Sequence, residues 1–203
     1  MLRQVRDAGR AHLLPTDLQQ LEARLRADLA LYAPDSPVIT CKTPLDFRWA
    51  GLVLAAMPDA RVVHLLRDHM ETCWSNYRTC FTSNGNGFAY DLADLAHFHD
   101  LHLDLMQTYK QAFPDRIRTL AYADLVSDFA DQARSLVAYC GLDWSEACLH
   151  PDRAKTPVLT ASAMQVRKPV YNGNRQDWKR YEAYLSPLIE ALQEGAESAT
   201  IHP

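Results

Sequence analysis

The sequence predicts an α/β fold with a parallel sheet and flanking helices, on three observations. Short apolar strands alternate with helical stretches, as where Arg61-Val-Val-His-Leu-Leu-Arg67 runs directly into a helix. Two of these strands end on a cation, Lys42 after Val38-Ile-Thr-Cys and Arg67 after His64-Leu-Leu. The 203 residues suit one ordinary domain with a sizeable core, so residues 1–203 are expected to form a single domain.

Each element follows from local pattern. Residues 16–32 are amphipathic: Leu18, Leu21, Leu25 and Leu29 line one stripe, and Thr16 with Gln19 offers a capping box. Pro34 and Pro37 break the chain before the strand Val38–Cys41. Residues 46–57 read as a buried helix that ends at Met57-Pro58-Asp59. The strand 61–66 leads into a helix over 69–82, and Ser83-Asn-Gly-Asn-Gly87 makes a turn. A long helix over 91–113 ends at Phe113-Pro114-Asp115, before the strand 116–121. Ser127 is placed to cap a helix that Gly141 terminates. Residues 150–176 show no periodicity, and a last helix is expected from Ser186-Pro187 to Gly195. Three core strands are few for a doubly wound sheet.

Composition narrows the function. The chain is 48% hydrophobic and 23% charged, with net charge −4 and pI ≈ 6.0. Bulk charge therefore gives no reason to expect binding to nucleic acid or an anionic membrane, and any anion site must be a local pocket. The longest apolar run, Trp49 to Met57, is too short to span a bilayer, and no signal peptide opens the chain. Five cysteines without metal-ligand spacing point to reduced thiols and a cytoplasmic location. Cys73 and Cys80, seven apart on a helix, read as small core residues. His97, His99 and His102 fan around a helix axis and read as hydrated surface, as do Asp91, Asp94, Asp100 and Asp104. No metal site is expected.

The strand-end cations carry the chemistry. In open parallel sheets, ligands bind beyond the carboxyl ends of the strands, where helix N-termini offer free N–H groups to anions. An arginine there adds a bidentate fork matched to phosphate oxygens. The plain alternative for Arg67 is an ion pair with a nearby acid, and for Lys42 a solvated lysine before a turn.

Five segments, in order, resemble the family of sulfotransferases that use 3′-phosphoadenosine-5′-phosphosulfate (PAPS). They are Lys42-Thr-Pro44; Arg61 to Asp68 with Ser75; Ala121-Tyr122-Ala-Asp124-Leu-Val126; Thr160-Ala-Ser162-Ala-Met-Gln165-Val-Arg-Lys-Pro169; and Trp178-Lys-Arg-Tyr181. The bacterial tetratricopeptide-linked and tyrosylprotein enzymes are most similar, over a core of residues 37–194. The resemblance implies a P-loop-NTPase-like sheet, with PAPS as donor and an unidentified hydroxyl acceptor. It implies that Arg67 and Ser75 hold the 3′-phosphate and that Lys42 and Ser162 lie at the sulfuryl end. Gln165, Val166, Lys168 and Pro169 would pass beside the adenosine, and Tyr122 would touch the cofactor.

The same resemblance exposes a gap. The family's glycine-rich 5′-phosphosulfate loop precedes the matched segments, and none of the seven glycines sits in such a setting. The chain is therefore expected to be N-terminally truncated, inactive in isolation and prone to self-association. Cys41 replaces the acid usual before the Lys-Thr-Pro motif, and Asp177 a base usual before the tryptophan. Two alternatives stand: a non-catalytic, degenerate member that binds a nucleotide or a partner, and a kinase-like enzyme using the same strand-end cations.

Overall fold

The computed structural model describes residues 12–81, 85–153 and 176–201. It divides into two compact units, residues 1–62 with 104–117, and residues 63–103 with 118–203. Each described part has its own apolar cluster.

In the first unit, helix α1 (Pro15–Tyr32) packs on helix α2 (Phe47–Ala56). Leu18, Leu21, Leu25 and Leu29 are all half-buried, as their spacing predicts. The start of α1 differs from the expected capping box. Pro15 occupies the first turn, and the Asp17 carboxylate accepts the Leu14 N–H at 2.8 Å. Proline fits there because the first-turn N–H it lacks has no helical partner, which moves the start one residue forward. In α2, Leu54 packs with Met106 and Ile117, and Phe47, Tyr109 and Phe113 lie around them. A Cβ at Gly51 would overlap the Tyr109 ring, so the close approach of that ring depends on glycine. The open carbonyls at the end of α2 are closed by Arg116, which donates to Met57 O and Pro58 O at 2.9 Å and to Leu54 O at 2.5 Å.

The expected strand Val38–Cys41 does not form; residues 38–43 have no regular secondary structure. An extended apolar run becomes a strand only when a neighbour supplies a hydrogen-bonding ladder, and none does so among the described residues. Val38 is exposed accordingly.

Among the described residues the second unit holds most of a two-stranded parallel sheet, β1 (Val62–Leu66) beside β2 (Ile117–Ala121). Helix α3 (His69–Tyr77) follows β1, and α4 (Leu92–Ala112) precedes β2. Parallel pairing requires such a crossover, because a hairpin turn cannot return the chain in the same direction. Arg118 ties β2 to α6 (Phe129–Tyr139) by donating to Ser135 O at 2.6 Å and Ser135 Oγ at 2.8 Å. The short helix α5 (Tyr122–Ser127) lies between them. Ser127 therefore closes α5, and Asp128 stands at the start of α6. Gly141, at φ 71°, follows the end of α6 as expected.

The core joins Met70 and Cys73 of α3, Leu95 and Ala96 of α4, and Leu185, Leu188 and Leu192 at the start of α7 (Ser186–Ile201). Helix α7 runs through Gly195, the expected stop. A Cβ there would meet the Asp100 carboxylate, so this glycine serves close packing and does not end the helix. Helix α3 is shorter than predicted. It ends at Tyr77, which leaves Cys80 exposed while Cys73 is fully buried. Val63 and Leu65 are 39% and 49% exposed on one face of β1, which among the described residues lacks the cover a parallel sheet usually has.

Candidate functional site

Arg67 stands between the end of β1 and the start of α3. Asp68 caps the helix, its carboxylate accepting the Glu71 N–H at 2.9 Å. Arg67 donates from Nε to Glu71 Oε2 at 2.8 Å, one helical turn on. Its Cζ lies 5.7 Å from the centroid of the Tyr122 ring, at the start of α5 directly after β2. Among the described residues, Nη1 and Nη2 make no hydrogen bond, and the side chain is 41% exposed. The arginine is thus both ion-paired and left with an open pair of donors. Such a pair suits a tetrahedral oxyanion.

Ser75 lies on α3, half-buried, one turn beyond Glu71; its carbonyl accepts the Thr79 hydroxyl at 2.6 Å. The fold therefore brings Arg67 and Tyr122 into contact and sets Ser75 on the helix that Arg67 opens. Lys42 belongs to the other unit and is exposed in an irregular segment. The structure next to it is local: the Asp46 carboxylate accepts from Thr43 N at 2.7 Å and Thr43 Oγ1 at 2.6 Å. Ser162, Gln165, Val166, Lys168 and Pro169 lie outside the described residues. Asp177 faces Arg78 at 3.8 Å, and Tyr181 packs on Trp74 with ring centroids 4.8 Å apart.

Sequence reasoning missed Glu71, which is 7% exposed. The signal was present in the four-residue separation of Arg67 and Glu71 across a helix start. It also misread two histidines. His99 and His102 are not hydrated surface: His102 Nε2 lies 2.9 Å from His64 Nε2, and the His99 ring is 6.5 Å from that of His69. Burial, and then the neighbouring His64 and His99, push His102 down to about 4. Burial also lowers His99, against the opposing pull of Asp100. The pair at His64 and His102 can form its hydrogen bond with one ring donating and the other accepting. Asp91 caps α4, accepting from Ala93 N and Asp94 N at 2.9 Å. Among the described residues no group of three or more His, Cys, Asp or Glu side chains converges as a metal site, and no helix is long and apolar enough to cross a membrane.

A model of the sulfotransferase family matches residues 4–146, from the segment before α1 through β1, α3 and β2 to the end of α6 and just beyond. The chain belongs to the sulfotransferase family. An uncharacterized protein of Aquifex aeolicus (strain VF5) is 36% identical over 191 residues, covering 89% of this chain. This chain matches 25% of that relative's length.

Proposed function

We propose that this sulfotransferase-family chain takes PAPS as its donor and that Arg67 and Ser75 hold the 3′-phosphate, in the manner of the tetratricopeptide-linked and tyrosylprotein enzymes. The observation that carries this reading is the open Nη pair of Arg67 at a strand-to-helix junction, with Tyr122 beside it. Arginine charge and its planar fork match a terminal phosphate, and the N-terminal end of α3 adds a favourable dipole. Ser75 contributes a neutral hydroxyl donor from the same helix.

Bound PAPS would supply an activated sulfuryl group for transfer to an acceptor hydroxyl. In this reading Lys42 provides a mobile positive charge for the oxygens that gain charge during transfer, and Ser162 assists at the same end. Gln165, Val166, Lys168 and Pro169 line the adenosine, and Tyr122 packs beside the nucleotide.

Calorimetric titration with adenosine 3′,5′-bisphosphate tests the site. Binding that Arg67→Ala removes is the expected result; absence of heat and of any thermal shift at millimolar nucleotide would refute it. A non-catalytic interaction role is favoured by one observation, the exposed Val63 and Leu65 on a single strand face. Concentration-dependent association in light scattering, lost in Leu65→Lys, is its expected signature.

A further inference from the structure

We infer that Glu71 is the positioning residue of the anion site: it anchors Arg67 through Nε and so presents Nη1 and Nη2 together to a phosphate. The inference rests on the reading of Arg67 as the 3′-phosphate contact.

Two observations separate Glu71 from an ordinary surface ion-pair partner. It is 7% exposed while Arg67 is 41% exposed, so the pair runs from the interior to the surface. Its second oxygen, Oε1, is buried without a hydrogen-bond partner among the described residues. A buried carboxylate with one unsatisfied oxygen works against folding. Arg67 is 41% exposed, so its charge can be solvated when an apolar side chain of similar size takes the place of the carboxylate. Stability therefore explains this residue poorly.

Its placement is well defined. The Asp68 cap fixes the first turn of α3 by accepting the Glu71 N–H, and the four-residue step brings the carboxylate to the arginine. A guanidinium is planar, so a bond at Nε together with the Tyr122 ring restricts how it can turn. The two Nη amines then remain as the donors a ligand meets. Without Glu71 the charge persists, but the long side chain must be ordered when the ligand binds, and affinity falls by that cost.

The test uses the full chain, with adenosine 3′,5′-bisphosphate and adenosine 5′-monophosphate as probes. Glu71→Met should keep or raise the thermal midpoint, weaken the bisphosphate about tenfold and leave the monophosphate unchanged. Glu71→Gln, which retains an oxygen for Nε, should stay within about threefold of the parent. Adding Glu71→Met to Arg67→Ala should cause no further loss. A Glu71→Met protein that fails to fold would overturn the inference, because the carboxylate would then be a structural requirement. Equal weakening of both nucleotides, or unchanged bisphosphate affinity, would overturn it too. If Arg67→Ala leaves bisphosphate binding intact, the underlying site reading is what fails. If Arg67→Ala abolishes binding while Glu71→Met does not, only the role of Glu71 is lost.

Discussion

Arg67 and Lys42 look alike in sequence, each a cation after a short apolar run, yet the molecule seats them differently. Arg67 follows a paired strand, opens a capped helix, is held at Nε by a buried carboxylate and lies against an aromatic ring. Lys42 lies in an exposed irregular segment, and the hydrogen bonds beside it among the described residues join Thr43 and Asp46, three positions apart. A carboxylate one turn on and a distant ring restrict the first cation, whereas the second is exposed in an irregular segment. The first suits static recognition of a phosphate. The second suits a charge that follows a moving group.

The largest expected effect tests the frame behind Arg67. Leu188 is fully buried in the cluster that includes Met70 and Cys73 of α3, so Leu188→Ala should destabilise that unit by about 3 kcal/mol. Urea unfolding monitored by circular dichroism measures it, and a change under about 1 kcal/mol would show that α3 does not depend on this core.

Arg67→Ala should abolish detectable binding of adenosine 3′,5′-bisphosphate, a loss of about 100-fold or more with the charge-assisted pair of hydrogen bonds. Lys42→Ala should leave that affinity unchanged, since the bisphosphate lacks the sulfuryl group. Equal losses in the two variants would erase the distinction between the cations.

A pH series examines the histidines on the Arg67 side. The folded-state value of His102, about 4, lies below its ordinary 6.5. Keeping this base neutral thus favours folding: the contribution is complete above about pH 6.5 and is lost as pH falls toward 4. Allowing for solvent screening, about 1–2 kcal/mol should disappear between pH 7 and pH 4. His102→Gln should flatten that part of the curve, and an unaltered slope would assign it to other groups.

The smallest effect concerns the Lys42 segment. Asp46→Ala removes both bonds to Thr43 and should cost about 0.5–1 kcal/mol, as losing an exposed capping interaction does. A much larger loss would mean that the segment has tertiary support comparable to that of Arg67.

Much of the fold was legible because its signals are local. The leucine stripe of α1, the apolar α2 and the strand-to-helix step at Arg67 each lie within one stretch of sequence. The errors arose where a distant partner decides. Val38–Cys41 has strand composition without a ladder, Gly195 meets Asp100 within a continuing helix, and His102 meets His64 from a different element.

The sequence by itself determined the alternation of helices and strands, the family pattern and the position of Arg67 at the end of β1, because periodicity and capping act over a few residues. Tertiary structure decided which of the two exposed cations lies against a distant ring. It also set the burial of Glu71, the contact of Arg67 with Tyr122 and the pairing of His64 with His102. Burial and ladder formation depend on residues far apart in the chain, so no local pattern specifies them.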